Sequence, residues 1–171
     1  MIYRPSPQEY NPYYEGYVSL MTEHDIAAAL AEQPDLLRGV LSGVPDEKGT
    51  YAYAPGKWTI KELLSHIIDG ERIFAYRLLR ISRGDATPIE GFEQDDYIAT
   101  SNANERPFAE LLDEFDLLRR SNMIMFRNIS DAASRSMGTA SGSPVSARAI
   151  AWILGGHVRH HLRILQERYL A

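Results

Sequence analysis

Apolar residues recur at helical spacing in four separate stretches of the chain, with polar positions between them. In the first, Ile26, Leu30, Leu37, Val40 and Leu41 follow Thr22, whose hydroxyl with Asp25 three residues on makes a weak capping box. Pro34 should kink or split this helix, and Gly43, Pro45 and Gly49 should end it. The second stretch has a stronger start, since Thr59 and Glu62 form a better-placed capping box. Ile60, Leu63, Leu64, Ile67, Phe74, Leu78 and Ile81 then recur as far as Arg83-Gly84. A third helix opens at Pro107, which a first turn accepts, and runs through Leu111, Leu112, Phe115, Leu118, Ile124 and Phe126. The fourth begins near Ser146 and continues almost to the C-terminus. Residues 1–20 are rich in Pro and Tyr and predict an extended N-terminal arm packed along the body, with rings buried and hydroxyls hydrated. Ser134 to Pro144 reads as a Gly/Ser-rich loop, and no strand pattern stands out.

Four helices without strands predict an all-α fold, a four-helix bundle formed by residues 1–171 as a single domain. The connection between helices two and three, RGDATPIEGFEQDDYIATSNANER, is about two dozen residues long, more than antiparallel neighbours need. A long crossover of this kind can leave those two helices parallel. Neither an internal repeat nor a domain linker interrupts the chain.

Composition narrows the function. The chain is 44% hydrophobic and 24% charged, which suits a folded globular protein rather than a disordered one. Its formal charge of −5 argues against nucleic acid as a partner, since sequence-independent binding needs a basic surface. The N-terminus lacks a secretory apolar core, and no apolar run approaches the ~20 residues that span a bilayer. These features predict a cytoplasmic protein without a membrane partner. Cysteine is absent, so any metal must be held by nitrogen and oxygen donors.

The fourth helix carries the chemistry. In SARAIAWILGGHVRHHLRILQERYL, His157 and His161 lie four apart, one turn above each other, on the face that also bears Ile150, Ile153, Leu154, Ile164 and Leu165. Unpaired polar groups in such a stripe cost about 1–3 kcal/mol each, and one metal ion would satisfy both. By itself the H-x-x-x-H pair suits ordinary core histidines equally well. Gly155 and Gly156 weaken the helix, which makes sense if something must approach its backbone closely. His160 falls at the edge of the stripe, as a hydrogen-bonding neighbour rather than a ligand, and His24 reads as solvated surface. His66, at the border of the second helix's apolar face with Gly70 one turn on, is the candidate third ligand. Its depth from the helix start matches that of His161 from the helix end if helices two and four are antiparallel. Three imidazoles form an open site, as catalytic zinc sites do, although imidazole also suits nickel, iron and copper. Asp69 could orient a ligand or simply pair with Arg72. Arg77, further along the His66 face, could meet an anionic substrate or a structural carboxylate.

YAPGKWTIKELLSHIIDGERIFAYR (53–77), RGDATPIEGFEQDDY (83–97) and AWILGGHVRHHLRILQERYL (151–170) together resemble the DinB family, in particular its YfiT-like branch of metalloenzymes. The joint pattern H-x-x-D-x-E-R with G-H-x-x-H-H carries the resemblance, which covers nearly the whole chain. It implies a four-helix bundle of up-down-down-up order, often a homodimer, with a divalent metal (zinc, nickel or iron) on His66, His157 and His161. Many relatives have an acidic residue after the first histidine of G-H-x-x-H-H, where this chain has Val158.

The resemblance also implies a range of chemistries on one scaffold. The leading expectation is a metal-dependent enzyme acting on a small molecule, transferring a low-molecular-weight thiol such as bacillithiol or mycothiol to an electrophile. In that case the reactive sulfur arrives with the cosubstrate. The alternatives are a metal-dependent hydrolase, with Asp69 and Glu71 as candidate bases, and a non-catalytic metal-binding stress-response protein.

Overall fold

The computed structural model describes residues 2–171. Among them lie seven α-helices: α1 (Glu15–Val18), α2 (Ile26–Leu41), α3 (Ile60–Ser82), α4 (Gln94–Ala99), α5 (Phe108–Arg127), α6 (Asp131–Ser134) and α7 (Ala147–Ile164). One antiparallel hairpin joins β1 (Met137–Ala140) to β2 (Ser143–Ser146). The four long helices α2, α3, α5 and α7 are the four that the apolar periodicity predicts.

Cross-helix contacts give the directions. Lys61 stacks on Phe108 and Glu71 binds Arg119, so α3 and α5 advance together. Arg38 pairs with Asp113 while Leu30 receives Arg119, so α2 opposes α5. The Tyr169 hydroxyl donates to the Trp58 carbonyl while Phe74 packs on His157, so α7 opposes α3. The order is up-down-down-up, and residues 83–107 provide the crossover that a parallel α3–α5 pair requires. No helix among the described residues is long and apolar enough to cross a membrane.

Several local expectations are corrected. Asp25, not Thr22, caps α2, accepting from the Ala27 amide. Pro34 does not split that helix, which runs unbroken over both sides of the buried proline. The N-terminal arm is not extended: after a lone bridge from Tyr3 to Asp25 it coils through 3-10 turns at 7–9 and 12–14 into α1. It does pack along the body, tied by Glu9 to Arg148 and Ser146, and by the Ile2 carbonyl to the Trp152 indole. The stretch expected to be a loop begins on the last residue of α6 and holds β1, the turn and the start of β2. Its turn places Ser141 and Gly142 at φ +49 and +73, the left-handed pair a two-residue hairpin turn demands. Ile89 of the crossover pairs alongside Ala140.

The core has two apolar parts. One gathers around Trp152, Leu30 and Leu78, the other around Leu64, Phe115 and Leu165. A polar layer separates them. In it, Arg119 donates to both oxygens of Glu71 at 2.9 and 2.8 Å, to the Leu30 carbonyl and to Gln33, and Gln33 donates to the Gly155 carbonyl. The three histidines occupy the same level.

Candidate metal centre

His66 sits in the second turn of α3, positioned by the Thr59–Glu62 capping box that sets the start of the helix. His157 and His161 project from one face of α7, whose start is set by the Ser146 hydroxyl accepting from the Ala149 amide. All three side chains are buried, at 4–6% exposure. His157 Nε2 lies 2.8 Å from His66 Nε2 and 3.1 Å from His161 Nε2. One ligand nitrogen from each ring fits within 4.8 Å of the others.

This geometry is poorly satisfied by hydrogen bonds alone. His157 Nε2 offers either one proton or one lone pair, yet faces two equivalent neighbours. His161 Nδ1 is buried without a partner. Burial pushes His66 down to about 4, and pushes His157 and His161 well below the ordinary histidine value, with the neighbouring imidazoles adding to the effect. The trio is therefore neutral at pH 7 and presents lone pairs, the state in which imidazole binds a cation. The donor set fits a divalent ion.

The helix backbone is shaped around the site. A Cβ on Gly70 would sit 2.7 Å from the His157 ring, so this glycine makes room for an imidazole. A Cβ on Gly156 would meet the Tyr17 carbonyl oxygen at 2.1 Å, so the close approach predicted at the glycine pair is made by the N-terminal arm. Tyr17 then lays its ring edge-on to His157 and tilted over His160. Burial pushes its hydroxyl up to about 12, which keeps it a neutral donor.

Two clefts reach the trio. The larger, of about 370 Å³, is lined by His66, His157, Arg77, Phe74, Phe92 and the tyrosines of the arm. The smaller, of about 290 Å³, touches His161, Trp58, Lys57, Tyr53 and Tyr169. Gln94 and Asp95, at the start of α4, line both. Sequence periodicity did not single out these two residues, because they lie in a polar crossover with no helical stripe to mark a direction. Nor did it single out the tyrosines of the arm or Ser141 as part of the site.

The other candidate residues separate. Arg77 lines the larger cleft. Asp69 lines neither; it is half-buried in a different cleft with Tyr97, Arg106 and Glu114, where burial pushes its carboxyl up. Arg72 pairs with Glu114 rather than with Asp69. Glu71 is held by Arg119 and Asn122 in the polar layer, so it is not free to act as a base. Val158 packs into the apolar core beside Leu162. His160 is half-buried at the rim, and His24 is exposed against the Tyr3 ring.

Comparison with known proteins agrees with this architecture. A protein of Geobacillus thermodenitrificans (strain NG80-2), provisionally named a metal-dependent hydrolase, is 30% identical over 80 residues. That match covers 47% of this chain and 45% of the relative, so the chain matches under half of that protein's length. YfiT from Bacillus subtilis, described in similarly provisional terms as a metal-dependent hydrolase with an unusual four-helix bundle topology, superposes with a TM-score of 0.76 at 14% identity, over 96% of this chain and 90% of YfiT. The mycothiol-dependent maleylpyruvate isomerase superposes with a TM-score of 0.68 at 17% identity, over 85% of this chain and 61% of that one. At such identities the two structural likenesses are of fold. Residues 29–165, most of the chain and all three histidines included, match the DinB superfamily, and the chain belongs to it.

Proposed function

We propose that this chain is a metal-dependent enzyme acting on a small molecule, and that its reaction is transfer of a low-molecular-weight thiol to an electrophile. His66, His157 and His161 would hold a divalent ion, zinc, nickel or iron being compatible with a nitrogen-only set. Such an ion lowers the pKa of a thiol that binds it, supplying a thiolate at neutral pH. The chain has no cysteine of its own, so the sulfur comes with a cosubstrate. The observation that carries this reading is the pair of clefts meeting at one trio, which suits two reactants approaching from separate sides. Tyr17 covers one side of His157 with its ring, and Gln94 and Asp95, which line both clefts, would contact either reactant. The reading implies a reducing compartment such as the cytoplasm, where small thiols persist.

Hydrolysis is the second reading, favoured by the provisional names of the Geobacillus and Bacillus proteins. Asp95 would then be the candidate base, since it is a carboxylate that lines both clefts. The two readings separate in one experiment. Metal-loaded protein is assayed for conjugation of bacillithiol, mycothiol and glutathione to a chromogenic electrophile, and in parallel for ester and amide cleavage. Thiol-dependent turnover that disappears on chelation is expected. Cleavage without thiol would favour the hydrolase, and no turnover in either arm at full metal occupancy would favour a non-catalytic metal-binding protein. The proposal extends to a homodimer through the exposed Leu117 and Ile124, one face of α5, which sedimentation of the native chain would test.

A further inference from the structure

Arg77 differs from the other shielded arginines of the chain. Arg119, Arg106, Arg148 and Arg159 each face a glutamate. Arg77 is only 4% exposed, yet among the described residues it forms no ion pair. Its Nη2 donates to the Ser141 hydroxyl at 2.8 Å and to the Glu90 carbonyl at 3.1 Å, both uncharged acceptors, and its Nε has no partner. A guanidinium removed from water without a countercharge is strongly unfavourable unless another group supplies one.

The surroundings are built to hold that charge in place. Ser141 occupies the hairpin turn at φ +49, a conformation a serine adopts at a cost. Ile89 pairs beside Ala140, and this brings the Glu90 carbonyl and the Ser141 hydroxyl to the same nitrogen. Phe92 stacks 6.0 Å from the guanidinium. Two segments far apart in sequence therefore converge to fix one cation on the wall of the cleft that contains His66 and His157. The acids of that cleft, Glu93 and Asp95, are exposed, and the field of Asp95 acts on His66.

We infer that Arg77 is the anion-binding residue of the larger cleft, and that the reactant held there is a small carboxylate with an apolar body. The carboxylate supplies the missing countercharge, and Phe74, Phe92 and Tyr14 pack its apolar part. Thiol and carboxylate reactant would then occupy different clefts. Calling the ligand a reactant rests on the reading of the trio proposed above; the binding itself does not.

Calorimetric titration of the zinc-loaded protein with benzoate and with benzamide tests the inference without turnover. Benzoate should bind about tenfold or more tightly than benzamide, the scale of one charge-assisted pair. Arg77→Gln should abolish that preference at unchanged zinc content, and Arg77→Lys should retain part of it. Equal affinity of the wild type for the two probes would overturn the inference, whatever the variants do. So would an undiminished preference in Arg77→Gln, because the carboxylate would then be binding at the zinc. Failure of the thiol-transfer assay leaves this result intact, so the two readings fail separately.

Discussion

His157 stands between its two neighbouring imidazoles, and its single Nε2 faces both. Removing it should break the ligand set at its centre. His157→Ala protein purified without added metal is expected to contain almost none by elemental analysis, whereas His160→Ala should match the wild type. Unchanged content in His157→Ala would disprove the three-histidine assignment. Gly156 is equally exacting, for a different reason. Its missing Cβ leaves the space that the Tyr17 backbone fills, and backbone cannot retreat as a flexible side chain does. Gly156→Ala should destabilise the protein by about 1–3 kcal/mol, the usual scale of overpacking. It should also release the arm, seen as faster amide exchange over residues 13–20 with helical content kept. At this scale the convergence of the three histidines was legible, because H-x-x-x-H is a local fact and the depth of His66 along its own helix can be compared with that of His161. Gln94, Asp95 and Ser141 were not, because polar residues in a crossover or turn carry no period that says where they point.

At the scale of elements, the Glu71–Arg119 pair joins α3 to α5 and, through Leu30 and Gln33, both to α2 and α7. Both partners are almost wholly buried, so removing one leaves an uncompensated charge. Glu71→Ala should lower unfolding free energy by about 3–5 kcal/mol in urea denaturation. Arg119→Met combined with Glu71→Leu should recover much of that loss, since apolar replacement of a whole buried pair is often neutral. If the double variant is no more stable than the single one, the Leu30 carbonyl, Gln33 and Asn122 left without their partners outweigh the relief of the unpaired charge. The sequence offers Glu71 as a possible base because a single helix does not reveal which acids meet a partner from another. The hairpin was missed on similar grounds: its strands are four residues each, too short for alternation to register, and they gain their place by packing on Ile81 and Ile89.

Across the whole molecule, three neutral imidazoles between two apolar clusters make stability depend on pH. As pH falls through 6.5 the unfolded chain takes up protons on its histidines, while folded His66 resists until about 4. The contribution of His66 is therefore complete above about pH 6.5 and is lost progressively towards pH 4, with His157 and His161 extending the loss in the same direction. In chelator, the melting temperature should fall steadily over that interval, and a His66→Gln variant should show a shallower fall. A flat profile in the wild type would mean that the trio is already protonated or solvated when folded. A metal held by the trio would sharpen the dependence, because protons would compete for the same lone pairs.

The four long helices, the capping at Thr59, the long crossover and the His157–His161 pair were legible in the sequence alone. Each rests on spacing within a single helix or on the length of one connection. Tertiary structure decided what those local rules leave open. It showed that Tyr17 rather than a ligand fills the space beside Gly156 and that Glu71 is engaged while Arg77 has no counterion. It also showed that two clefts, divided by Gln94 and Asp95, lead to one centre. These features depend on contacts between residues tens of positions apart, and a side chain's countercharge or its absence exists only once those segments meet.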